Sequence, residues 1–228
     1  MTTSPTGLLP AVELETGVRP TYAVLWMHGL GADGNDFVPI VDELALPSSL
    51  HIRFVFPHAP MRPVSINRGL VMRAWHDYDM IDPDSGVHED MMSLRDSQRA
   101  IEALIGREKH RGIEPGNIVL AGFSQGGAIA LQTGLRYPEK LAGIMALSCY
   151  LPASQMLAAE AHRANSGISI FMAHGSADNI VPRTLAADSS RQLLESGYAV
   201  EWHEYPMAHS VCAKEIADIS DWLKRILM

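Results

Sequence analysis

The chain has 228 residues, 47% of them hydrophobic and 19% charged, with a formal net charge of −8. That length suits one globular domain with a sizeable core and excludes a disordered or fibrous chain. Interspersed charge of net negative sign gives no footprint for a nucleic-acid partner, and two cysteines are too few for a disulfide scaffold.

Residues 1–20 carry Pro5, Gly7, Pro10, Gly17 and Pro20 and are read as an extended lead-in, leaving residues 21–228 as a single domain. The first residues lack the basic region and apolar core of a signal peptide, and no apolar run approaches the roughly 20 residues needed to span a bilayer. The expectation is a cytoplasmic protein with no integral membrane segment.

Short apolar runs that read as buried strands follow in order: AVLWMH (23–28), IRFVFP (52–57), NIVLAGF (117–123), LAGIMALS (141–148), ISIFMAHG (168–175) and AVEWHEY (199–205). Helical periodicity alternates with them. Leu94, Gln98, Ile101, Leu104 and Ile105 share a face over about 91–110, ended at Gly112 behind the basic stretch REKHRG. LAAEAHRAN reads as helical and places His162 on a helix surface. Leu185, Ala186, Leu193 and Leu194 mark a further helix; Ile216, Ile219, Leu223 and Ile226 mark the last, with Ser210 placed to cap it. Strands alternating with helices predict an α/β fold, a mostly parallel central sheet with helices on both faces. Residues 57–90, rich in Pro, Asp and Gly, read as an irregular cover over one end of that sheet, with at most short strands near Val71–Trp75.

Gly122-Phe123-Ser124-Gln125-Gly126, after a strand and before a helix, has the form of a nucleophile elbow. The serine takes a strained backbone there, and the glycines let strand and helix approach closely. The hydroxyl then stands at the C-terminal edge of the sheet, where open α/β sheets bind ligands. A serine hydroxyl attacks only when a base removes its proton and a third group orients that base. In this arrangement the acid and then the histidine follow the serine in the chain. Of the later histidines, His162 fits a helix surface, His174 a satisfied buried site at a strand end and His203 a strand face. His209, in the loop PMAHS after the last strand, can return to the sheet edge. Asp178 leaves the preceding strand in HGSADNIVP and is the acid chosen, because Asp188, Asp218 and Asp221 fall on helical faces. An oxyanion site needs two N–H donors: Gln125, which follows the serine, and Leu30 or its neighbour in HGLGADGNDF.

Four motifs in this order, LWMHGLGADGNDF, GFSQGGAIAL, HGSADNIVP and AHS, resemble an α/β-hydrolase of the carboxylesterase/phospholipase group that includes acyl-protein thioesterases, from about residue 22 to the C-terminus. The resemblance implies an α/β-hydrolase fold and a serine hydrolase acting on carboxylic or thio esters of fatty acids, including lysophospholipids and S-acylated proteins. It also implies that no cofactor is needed and that members are often homodimers. Two departures bear on substrate range: Ala208 stands where glycine often precedes the histidine, and the tryptophan segment reads RAWHDYD. Trp75, Ile180 and Val181 are the candidate acyl contacts, with Met80, Ile81, Tyr150 and Leu151 also near the predicted edge.

Two other readings stand beside this one. HDYDMIDPDSGVHED (76–90) is dense in metal-ligand types but lacks a calcium-loop register, Val87 falling where glycine would be required, and the chain has no H-E-x-x-H. A non-enzymatic binder on the same fold would be marked by a missing triad member, and none is missing.

Overall fold

A computed structural model describes residues 7–82 and 86–228. Its central sheet comprises β1 (Ala11–Glu15), β2 (Tyr22–Met27), β3 (Ile52–Pro57), β8 (Ile118–Phe123), β9 (Gly143–Leu147), β10 (Ser169–Gly175) and β11 (Ala199–Tyr205). They lie in the order β1-β3-β2-β8-β9-β10-β11, all parallel except β1, which runs antiparallel to β3. The helices are α1 (Ile40–Glu43), α2 (Met91–His110), α3 (Gln125–Arg136), α4 (Leu157–Glu160), α5 (Arg183–Glu195) and α6 (Ala213–Leu227).

The inner strands are continuous apolar runs because both faces of the sheet are covered. Their two-residue period sorts the core into two layers. From β2, Ala23, Leu25 and Met27 pack with Leu94, Ile101 and Leu104 of α2 and Ile129 of α3. Val24 and Trp26 face the other way, towards Ile40, Phe54 and Phe56 and towards Ile219, Trp222 and Leu223 of α6. The α2 start is fixed by Asp90, whose carboxylate accepts from the Met92 and Ser93 N–H groups at 3.2 and 3.1 Å. Its end is fixed by Gly112 at φ 92°, with Arg107, Lys109 and His110 in the last turn.

Four expectations need correction. Ala11–Glu15, expected within an extended lead-in outside the domain, is an edge strand of the central sheet, in register with Arg53–Pro57. Its anchor is ionic: Arg53 meets Glu15 and the fully buried Glu108 of α2, each at 2.8 Å. Within the cover, the described residues form two antiparallel hairpins, β4 (Met61–Val64) with β5 (Leu70–Arg73) and β6 (Tyr78–Asp82) with β7 (Gly86–Glu89). His162 is not on a helix: α4 stops at Glu160, and the His162 Nδ1 accepts the Ala164 N–H at the start of a 3₁₀ turn. α6 is preceded by Cys212 with no side-chain cap, and Ser210 instead turns back to the Ala208 carbonyl.

The chain leaves β2 towards β3 on one side and later leaves β8 towards β9 on the other. Loops therefore diverge at the C-terminal ends of β2 and β8, the crevice where an open α/β sheet holds its ligand.

Candidate active site

Ser124 stands at that point, between β8 and α3, with φ 54° and ψ −123°. For a residue with a Cβ this conformation costs on the order of 1–3 kcal/mol. Two backbone bonds hold it: the Ser124 N–H reaches the Leu147 carbonyl at 2.8 Å, and its carbonyl accepts from Ala128 at 3.1 Å. The flanking glycines are required by space. A Cβ on Gly122 would lie 2.2 Å from the Gly126 carbonyl, and one on Gly126 would lie 2.3 Å from the Met27 oxygen. The elbow is thus pressed against the end of β2.

The loops after β10 and β11 are laid on one another. Ser176 and Ala177 donate to the Tyr205 and Met207 carbonyls at 2.8 and 3.0 Å, and Gly175 has no Cβ to strike the Ala208 oxygen. This brings Asp178 and His209 together, with Nδ1 of the imidazole 2.6 Å from Asp178 Oδ2. The other carboxylate oxygen, Oδ1, accepts from the N–H groups of Ile180 and Val181 at 2.8 and 3.0 Å. Burial of Asp178 would raise its pKa, but the His209 bond and the two amides hold it below the usual carboxylate range. His174, fully buried, directs Nε2 to the Val181 carbonyl at 2.9 Å and lies 3.4 Å from Asp178 Oδ2. Burial lowers the His174 pKa, so it is a neutral brace for the acid's loop.

The His209 ring packs on Phe123, the residue before the serine, with centroids 4.7 Å apart. Among the described residues no hydrogen bond joins Ser124 and His209. Gly29 closes the other side, where an added Cβ would touch the Ser124 Cβ at 3.5 Å. Among the described residues neither the Leu30 nor the Gln125 N–H has an acceptor; Gln125 follows the serine, and Leu30 follows Gly29, which packs beside it.

Sequence reasoning missed what holds these donors. His28 Nδ1 donates to the Gly29 carbonyl at 2.7 Å and Nε2 accepts from Ala59 at 3.1 Å, a pattern only the neutral ring supports. Burial lowers its pKa to about 4. The side chain of Gln125 accepts from the Trp75 N–H and donates to the His76 carbonyl, each at 2.7 Å. Trp75, expected as an acyl contact, is fully buried and donates Nε1–H to the His28 carbonyl at 2.9 Å. It offers no open surface and instead supports the loop carrying Leu30. Val181 is buried against Ala128 and Tyr150, whereas Ile180 is exposed beside the acid's loop. The ligand-rich stretch at 76–90 lies partly outside the described residues; among the described ones no group of three metal-ligating side chains converges.

Residues 11–227 match the family described as Phospholipase/Carboxylesterase. The chain belongs to this family. It is a serine hydrolase of α/β-hydrolase fold. It is 39% identical over 223 residues to acyl-protein thioesterase 1 of Neurospora crassa, covering 95% of this chain and 89% of the relative. It is 34% identical over 220 residues to acyl-protein thioesterase 1 of Yarrowia lipolytica, covering 94% and 96%. The crystal structure of Arabidopsis thaliana SOBER1 superposes on the hydrolase with a TM-score of 0.84 at 32% identity, covering 91% of this chain and 99% of that one. No helix among the described residues of the hydrolase is long and apolar enough to cross a membrane.

Proposed function

We propose that the enzyme hydrolyses carboxylic esters and thioesters through an acyl-enzyme on Ser124, with His209 as base and acid and Asp178 as its orienting partner. The observation that carries this reading is the 2.6 Å contact between Asp178 and His209 Nδ1. It fixes the tautomer that leaves Nε2 free to accept a proton. His209 takes the Ser124 proton as Oγ attacks the carbonyl carbon, and the oxyanion is received by the Leu30 and Gln125 amides. The tetrahedral intermediate collapses, the C–O or C–S bond breaks, and His209 protonates the departing alcohol or thiol. Water then attacks the acyl-enzyme with His209 as base, releasing the acid and restoring the hydroxyl.

The substrates proposed are small or lipid acyl esters, which the family's description supports, and S-acylated protein side chains, which the name of the relatives supports. Both cysteines of the chain are unpaired, which suits work in the reducing cytoplasm. The test is turnover of p-nitrophenyl acetate, a lysophospholipid and an S-acyl peptide with and without chelator. The reading expects chelator-resistant turnover of at least one, abolished by Ser124→Ala. Turnover that persists in Ser124→Ala contradicts it.

A further inference from the structure

His174 is tied to the elements that carry each member of the triad. It stands at the end of β10, on the strand that leads into the Asp178 loop, and is fully buried. Its ring stacks on that of Trp202 in β11, with planes 13° apart and centroids at 6.3 Å, and β11 leads into the loop of His209. Its Nε2 meets the Val181 carbonyl at 2.9 Å. Val181 in turn packs on Ala128 of α3, whose N–H bonds the Ser124 carbonyl.

The place of the ring proton follows from what Nε2 faces. Two acceptors lie beside it, the Val181 oxygen and Asp178 Oδ2 at 3.4 Å, whereas among the described residues Nδ1 has no partner. A bare lone pair at Nε2 would confront both oxygens, so the proton belongs there. Burial outweighs the opposing pull of the Val181 carbonyl, Asp178 and Glu204, and the ring stays neutral. The contacts close on themselves. Asp178 Oδ1 takes the Val181 N–H at 3.0 Å, the Val181 carbonyl takes the His174 proton, and the same N–H lies against Asp178 Oδ2. That Oδ2 is the oxygen 2.6 Å from His209 Nδ1. Rotation of the carboxylate about its Cβ–Cγ bond would carry Oδ2 out of line with the imidazole. A neutral donor beside Oδ2 opposes that rotation without adding a positive charge to repel the imidazolium formed during reaction.

We propose that His174 is a positioning residue for the reaction: its Nε2–H keeps Asp178 Oδ2 in line with His209, and its effect on turnover passes through that carboxylate. The proposal rests on the serine hydrolase reading above. Because the role concerns alignment of the reacting groups and not the binding of substrate, the loss on removing it falls on kcat and leaves KM little changed.

The experiment measures kcat and KM for p-nitrophenyl acetate in wild type, His174→Leu, His174→Gln and His174→Asn, each also combined with Asp178→Asn, with thermal melts and fluorophosphonate labelling alongside. Leucine removes the donor. Glutamine can place an amide N–H where Nε2 stands, whereas asparagine, one carbon shorter, reaches only as far as Nδ1. His174→Leu and His174→Asn are expected to lower kcat about tenfold or more, and His174→Gln to keep most of it. In the Asp178→Asn background the same substitutions should leave kcat unchanged or raise it, since an amide NH₂ then faces the His174 donor. Should His174→Leu fail to fold, the two amide variants, both polar and close in size, carry the comparison. A loss by the same factor in both backgrounds, or equal kcat for the glutamine and asparagine variants, would overturn this proposal alone. A folded wild type with neither labelling nor ester turnover would overturn the hydrolase reading and this proposal with it.

Discussion

Asp178→Asn isolates the electrostatic role of the acid with almost no change in shape. In the wild type, Oδ1 holds the Ile180 and Val181 amides and Oδ2 faces His209 Nδ1. An asparagine has one acceptor, and two arrangements compete for it. Turning the amide nitrogen towards the loop would leave two N–H donors unpaired, at about 1–3 kcal/mol each. The carbonyl therefore stays on the loop and the NH₂ faces the imidazole, which can then only accept at Nδ1. The proton moves to Nε2, and the ring can no longer take one from Ser124. The expected loss in kcat is about 10⁴-fold, or about 5 kcal/mol of transition-state stabilisation. Steady-state hydrolysis of p-nitrophenyl acetate reads the loss, and a thermal melt confirms that the variant is folded. A folded Asp178→Asn enzyme keeping more than a tenth of wild-type turnover would refute the argument.

Other outcomes follow from particular contacts. Neutral His28, its pKa lowered to about 4 by burial, makes the fold acid-sensitive. The unfolded chain takes up that proton near pH 6.5, so the stability is full above 6.5 and falls by roughly 3 kcal/mol as the pH drops towards 4; urea midpoints unchanged between pH 7 and 5 would argue against it. Glu215, buried in α6 and raised to about 8 by that burial, acts in the opposite sense. Its contribution is full below about pH 4.5 and lost as pH rises towards 8. Glu215→Gln should therefore gain on wild type by a few kcal/mol between pH 5 and pH 9, and a pH-independent difference in unfolding free energy would count against the assignment. Gly126→Ala would drive a Cβ to 2.3 Å from the Met27 oxygen, so it should cost more than about 1–3 kcal/mol and most of the activity; a wild-type denaturation curve would show that the elbow has slack. Trp75→Phe removes the donor to the His28 carbonyl at a cost of about 1–3 kcal/mol and should lower kcat more than it raises KM. A change in KM alone would return Trp75 to the substrate pocket.

The core of the sheet was legible because a strand buried on both faces can be nothing but apolar, and the runs at 52–57 and 199–205 coincide with β3 and β11. The elbow was legible because its glycines answer a local steric demand that the sequence must carry in place. β1 was hidden because its anchor is distant: nothing near Glu15 announces Arg53 and Glu108. The hairpins of the cover are short and half-exposed, so burial imposes little pattern on them. Trp75 was misread for a related reason. A large aromatic beside a site suits a pocket wall or a brace equally well until its neighbours are known, and only the bond to His28 decides. The side-chain roles of Gln125 and His28 likewise come from contacts made across the fold.

The proposed mechanism requires Ser124 to be the single hydroxyl that its surroundings make nucleophilic. Fluorophosphonate treatment followed by peptide mass analysis tests this directly. One equivalent should be found on the peptide containing Ser124, with none on folded Ser124→Ala and much slower uptake in His209→Ala. Stoichiometric modification of a different serine, or none on the folded wild type, would contradict it.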